Sequence, residues 1–96
     1  MTFDEFQATL SDTTPPDVSP LLVALWHDAR GDWDRAHSIA QDIDDADAAL
    51  VHAYLHRKEG DLGNAAYWYR RTPAAIATDS LKAEWTRIVS AFLKRA

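Results

Sequence analysis

The 96-residue chain contains no cysteine. That excludes a disulfide framework and any thiolate nucleophile, and it leaves histidine and carboxylates as the metal ligands to consider. Glycine is scarce as well. The three copies form no phosphate-cradling loop, and no serine stands in a nucleophile motif, so P-loop and serine-hydrolase chemistry are set aside. No apolar run approaches the roughly 20 residues of a membrane span. Asp4 and Glu5 occupy the place where a secretory leader would carry basic residues, so a cytoplasmic location is the expectation. Basic side chains number 10 against 15 acidic ones, a net charge of −5. A surplus of that sign argues against neutralising nucleic-acid phosphates or an anionic membrane surface, and neither is an expected partner.

What the chain has in plenty is rings and helix signals. Four Trp, three Tyr and three Phe in one short domain predict a core built from large side chains, because a small chain can bury few residues and each ring covers much area. The order of residues is organised around an internal echo. Gly31-Asp32 and Gly60-Asp61 stand 29 residues apart, and at that offset Ala24 falls on Ala53, His27 on His56 and Ala36 on Ala65. In each copy a helix ends at Gly, which tolerates positive φ, and Asp follows at once to cap the next helix. Two helical hairpins result, over residues 20–43 and 44–72.

Ahead of them, Thr2 and Glu5 have capping-box spacing, and Phe3, Phe6 and Leu10 share one helical face. A short helix packed as a lid is expected there, followed by a linker to Ser19 that holds Pro15-Pro16; together these make up residues 1–19. Hairpin one starts at Ser19-Pro20 with a stripe of Leu22, Leu25, Trp26 and Ala29, and its second helix carries Trp33, Ala36, His37, Ala40 and Ile43. In hairpin two, Asp44 or Asp45 caps a helix from Ala46 to Glu59 with Leu50, Ala53, Tyr54 and Leu55 on its buried side. Leu62, Ala65, Ala66 and Tyr69 then face the core until Thr72-Pro73 stops the fourth helix. Residues 78–96 begin at Asp79 or Ser80 and place Leu81, Trp85, Ile88, Val89 and Phe92 on one stripe of a C-terminal capping helix. The predicted fold class is all-α, a single domain.

A small residue midway through a first helix, Gly-Asp and a bulky side chain at the turn, and Ala early in a second helix resemble the tetratricopeptide signature. Ala24, Gly31-Asp32-Trp33 and Ala36 carry it once; Ala53, Gly60-Asp61-Leu62, Ala65 and Tyr69 carry it again. The copies are degenerate. Their spacing is shorter than the family's usual period of about 34 residues. His27 and His56 stand where a large aromatic is usual, and the early Trp is absent. The stretch from Leu25 to Arg71 also resembles a group of small bacterial and fungal helical proteins, a likeness that brings no activity with it. The resemblance implies two TPR-like hairpins flanked by a short N-terminal helix and the capping helix, with a groove along the first helices that binds a peptide or a partner protein.

The groove candidates are His27, His52 and His56, with Arg57 and Glu59 beside the second turn. His52 and His56 stand at i, i+4 and can present two nitrogens to one metal ion, with His27 or Glu59 as the third ligand. A zinc-protease motif would need Glu directly after the first His, and Ala53 stands there. The competing structural reading has His27 and His56 filling aromatic positions, His52 bonded to a carboxylate, and His37 equally structural. No cofactor is expected, with a divalent metal as the one alternative. Tyr67, Trp68 and Tyr69 point about 100° apart on a helix and form no single stacking platform, and Trp68 is expected beneath the last helix. Two functions follow: a protein- or peptide-interaction module, or a small-molecule or metal-binding module, with a minor enzyme as its extreme form. An open apolar face favours the first; a pocket with convergent imidazoles and a carboxylate favours the second. Two hairpins are fewer than the three repeats that solenoids generally need, so a homodimer is the third outcome if the terminal helices fail to cover the end faces.

Overall fold

A computed structural model describes residues 1–95. Six α-helices and no strand occur among them: α1 (Phe3–Ala8), α2 (Pro20–Ala29), α3 (Trp33–Gln41), α4 (Ala46–Glu59), α5 (Leu62–Tyr69) and α6 (Leu81–Arg95). A 3-10 turn over Thr9–Ser11 extends α1, and the expected last residue of the C-terminal segment, Ala96, lies outside the described residues. No helix is long and apolar enough to cross a membrane among the described residues.

The helix boundaries have visible chemical causes. Thr2 accepts from the Glu5 amide while the Glu5 carboxylate accepts from the Thr2 amide, a complete capping box. Asp32, Asp45 and Asp61 each accept from the amide three residues on, at Arg35, Ala48 and Asn64. Ser80 does the same for Ala83 and opens α6. Ser19 precedes Pro20 in extended conformation but makes no side-chain cap, so the fixed φ of proline sets that start. Gly31 and Gly60 sit at φ +86° and +89° after α2 and α4. At each turn the amide of the following Asp bonds back to the carbonyl of a histidine, His27 in one copy and His56 in the other.

These two turns fold α2 against α3 and α4 against α5, and α3 packs on α4 across the short connection to Asp45. The paired positions match in their surroundings. Ala24 and Ala53 are both fully buried, and so are Ala36 and Ala65 to within a few per cent. The main core lies between α2, α3, α4 and α6 and holds Phe6, Leu22, Leu25, Trp26, Val51, Leu55, Trp85 and Val89, with a smaller cluster of Ala53, Ala65 and Tyr69 under α5. Three indole N–H groups donate to backbone carbonyls of other elements: Trp26 to Thr9, Trp33 to Leu55 and Trp85 to Leu25. Each ring therefore buries area and fixes a relative position. α1 and α6 pack on the stack, with Phe3 edge-on to Trp85, so the N-terminal piece is a lid and the core of two helix pairs is covered within the chain.

Two buried carboxylates tie the layers together. Asp28 on α2 accepts from Tyr54 Oη at 3.1 Å and Lys58 Nζ at 3.0 Å, both on α4. Glu84 on α6 accepts from Tyr69 Oη of α5 at 2.6 Å and from Arg57 of α4 at 2.9 Å. Burial comes first, and the facing carboxylate next, in pushing the Tyr54 phenol well above its usual range. The Tyr69 phenol is raised by burial and by its bond to Glu84. Both phenols thus keep their protons at any ordinary pH and can donate them to the carboxylates.

Some expectations are corrected. Leu62 is 67% exposed, because α5 has α4 as its principal neighbour and its buried stripe narrows to Ala65 and Tyr69. Ala29 is exposed where the last turn of α2 overruns its partners, and Asp28 takes the inward position beside it. Two variants test this frame. Gly60→Ala lowers stability by about 1 kcal/mol, since no atom lies within 4 Å of an added Cβ and the whole penalty is the left-handed backbone. Glu84→Ala costs about 3 kcal/mol by leaving Arg57 and Tyr69 without their acceptor. Denaturant titration of both variants checks the order; equal midpoints would remove the distinction.

Candidate functional site

α3 and α4 bring three of the four histidines together. α4 carries His52 and His56 one turn apart, 4% and 6% exposed, and α3 brings His37 against both, its ring edge-on at 5.0 and 5.2 Å between centroids. One nitrogen from each of His37, His52 and His56 lies within 4.8 Å of the other two. Tryptophans flank the imidazoles. Trp33 stacks on His37 at 4.9 Å, and Trp68 stacks on His52 at 4.1 Å. Trp68 therefore belongs to this cluster and not beneath the last helix, because its position on α5 turns it toward α4.

Hydrogen bonding separates the three rings. Nδ1 of His56 lies 2.6 Å from Oε1 of Glu59, and since a carboxylate only accepts, that nitrogen is the donor and Nε2 is the one left to face a ligand. The Asn64 amide nitrogen stands 3.4 Å from Nε2. Nδ1 of His52 is buried with no partner, the one such side-chain atom among the described residues. The expected carboxylate on His52 is thus found on His56 instead, because Glu59 follows His56 by three residues and shares its side of the helix. Burial, reinforced by His37 and His56 and opposed by the Ala40 carbonyl, lowers the His52 pKa to about 4. Burial also lowers His37, with His56 adding to the effect and Glu59 opposing it. At neutral pH these two imidazoles are uncharged and keep a free lone pair each.

The rings line one side of a half-open cleft of about 510 Å³, whose other side comes from Asn64, Tyr67 and Arg71 on and after α5 and Asp44 in the α3–α4 connection. The remaining predicted site residues lie elsewhere. His27 is half-buried against Trp26, outside the cluster. It matches His56 in the repeat, but no helix takes beside α2 the place that α3 takes beside α4. Arg57 points to the opposite side of α4, where it bonds Glu84 and the Asp79 carbonyl. Glu59 joins the site only through His56. His56, Glu59 and Asp61 also stand close enough to share an ion, but the two carboxylates are exposed and Asp61 already caps α5. The sequence pattern assigns His37 a structural role only, yet the short connection between α3 and α4 makes those helices neighbours and is the signal that places it in the cluster.

The chain matches no protein-family model, no curated protein and no solved structure.

The neutral, buried His52 makes stability depend on pH. Its folded pKa of about 4 lies below the ordinary value of 6.5, so its contribution is complete above about pH 6.5 and declines as pH falls toward 4. With chelator present, the loss amounts to about 2 kcal/mol after allowing for water in the cleft, and His37 adds in the same direction. Melting curves between pH 7 and 4 check this, and His52→Gln flattens that part of the slope.

Proposed function

We propose that the protein is a small metal-binding module that holds one divalent transition-metal ion through His37, His52 and His56. The observation that carries this reading is the Nδ1 of His52, a buried ring nitrogen without a hydrogen-bond partner, on one of three imidazoles that each bring a nitrogen within 4.8 Å of the others. A ring nitrogen buried without a partner is destabilising in isolation, and a metal ion supplies what it lacks. An all-nitrogen donor set suits Zn²⁺, Ni²⁺ or Cu²⁺ and not the oxygen-seeking Ca²⁺ or Mg²⁺. Glu59 holding Nδ1–H of His56 is the outer-shell carboxylate that orients a ligating imidazole. Tetrahedral coordination at about 2.0–2.1 Å sets the nitrogens about 3.3 Å apart, so ring rotations must draw them in by up to about 1.5 Å. Such an ion joins α3 to α4 and so adds to the junction between the two helix pairs, where α2 also meets α4.

The interaction-module reading keeps some support from the helix pairs. We infer that they are degenerate tetratricopeptide-like hairpins, on the matched glycine φ values, the matched Asp caps and the matched buried alanines. Its groove residues favour it less: His52 and His56 are buried to within a few per cent and meet solvent only at the wall of the cleft, so they offer a partner protein little surface. A protein partner or a second copy would have to use other surface.

Thermal unfolding of the chelator-stripped protein with Zn²⁺, Ni²⁺ or Mn²⁺ tests the metal reading. Zn²⁺ or Ni²⁺ at a hundredfold excess over Kd raises Tm by roughly 10 °C, and Mn²⁺ raises it little. His37→Ala, at a half-exposed position, leaves the fold intact and removes the rise; Glu59→Gln weakens affinity about 10- to 100-fold. A folded wild-type protein unmoved by either metal overturns the proposal.

A further inference from the structure

Three protein nitrogens leave a metal ion with an open position and two uncompensated positive charges, since imidazole ligands bind in their neutral form. What completes the coordination is decided by the other wall of the cleft. Resting on the metal reading, we infer that the cleft takes a small oxyanion, a phosphate or carboxylate group, with one oxygen on the metal and another on Arg71.

Arg71 is placed for this by rings. Its guanidinium lies over Trp68 at 5.2 Å and over Tyr67 at 5.6 Å, and it donates to Tyr67 Oη at 2.8 Å. Trp68 in turn stacks on His52, so the cation sits one ring layer from a proposed ligand. A stacked guanidinium loses little freedom on binding and presents its remaining N–H groups as a fork matched to two oxygens. Its nearest carboxylate, Asp44, is 3.9 Å away on a fully exposed side chain, a loose contact that an incoming oxyanion can displace. Asn64 adds an amide donor on the same wall. The volume is right as well. About 510 Å³ is far more than an ion and one water of about 30 Å³ require, and it accommodates a ligand of several heavy atoms.

The rest of the molecule makes this binding conditional. A chain of net charge −5 repels small anions at long range, and Asp44 and Asp45 also line the cleft. Arg71 alone is one exposed cation against that field. The oxyanion therefore binds only when the metal is present, and by linkage it tightens the metal by the same factor.

Cobalt makes both events visible, because the visible absorption of Co²⁺ changes with its ligands. Wild-type protein loaded with Co²⁺ is titrated with inorganic phosphate and, separately, with acetate. The expected result is a saturable spectral change with at least one of them; phosphate alone responding assigns a phosphoryl ligand, and acetate alone a carboxylate. Arg71→Ala retains Co²⁺ affinity and weakens the anion about tenfold or more, and Arg71→Lys restores part of it. Arg71 is half exposed, so the variant folds, and its melting curve verifies that. Co²⁺ binding with no response to either anion overturns the inference and leaves the metal site standing. Undiminished anion binding by Arg71→Ala overturns the role of Arg71. Failure of Co²⁺, and of Zn²⁺ and Ni²⁺ in the thermal test, to bind overturns the metal reading, and this one with it.

Discussion

Two carboxylates that cannot reach water hold this fold in register. Asp28 and Glu84 are each about 1% exposed, and each accepts from one phenol and one cation delivered by other helices. An ionised carboxylate moved out of water is strongly unfavourable unless its lone pairs are filled, so α2 must meet Tyr54 and Lys58 of α4, and α6 must meet Arg57 of α4 and Tyr69 of α5. Apolar contacts tolerate sliding; these do not. α4 supplies three of the four donors, which makes it the element that the others are positioned against. With the donors of α4 committed on that side, its histidines are left to the opposite side, toward α3 and α5.

The architecture was legible because its signals are local. A cap is read from one residue, a positive-φ turn from one glycine, and a helical stripe from spacing; the helix α4 runs over the same residues that its pattern predicts. What was not legible is the depth of each stripe, which depends on how many neighbours a helix acquires. Leu62 is apolar and correctly phased but has nothing to pack under, while Asp28 and Glu84 are charged and lie in the interior. No periodicity marks a carboxylate as buried, since the cations and phenols that permit it come from positions 26 to 30 residues away for Asp28 and 15 to 27 away for Glu84.

The candidate site was half legible for the same reason. His52 and His56 share a helix, so their spacing announced them. The third imidazole required knowing which helix stands beside α4, and repeat logic pointed to α2 and His27 where adjacency along the chain pointed to α3 and His37. Symmetry between the two copies extends to caps, turns and small residues, and it ends at the flanks, where the preceding helix α3 packs along α4 but α1 does not pack along α2 in the same way. The site grows from that break in symmetry.

The ring order Trp33, His37, His52, Trp68 has an optical consequence. Two of the four tryptophans stack on imidazoles of the cluster; Trp26 and Trp85 sit in the core with their N–H groups bound to carbonyls, Trp26 edge-on to His27 outside the cluster. An imidazole is a far better quencher of indole emission when protonated than when neutral. The protein therefore carries its own fluorophores at the cleft, one on each helix pair, with Trp85, packed against Phe3 and Phe6, as an internal reference.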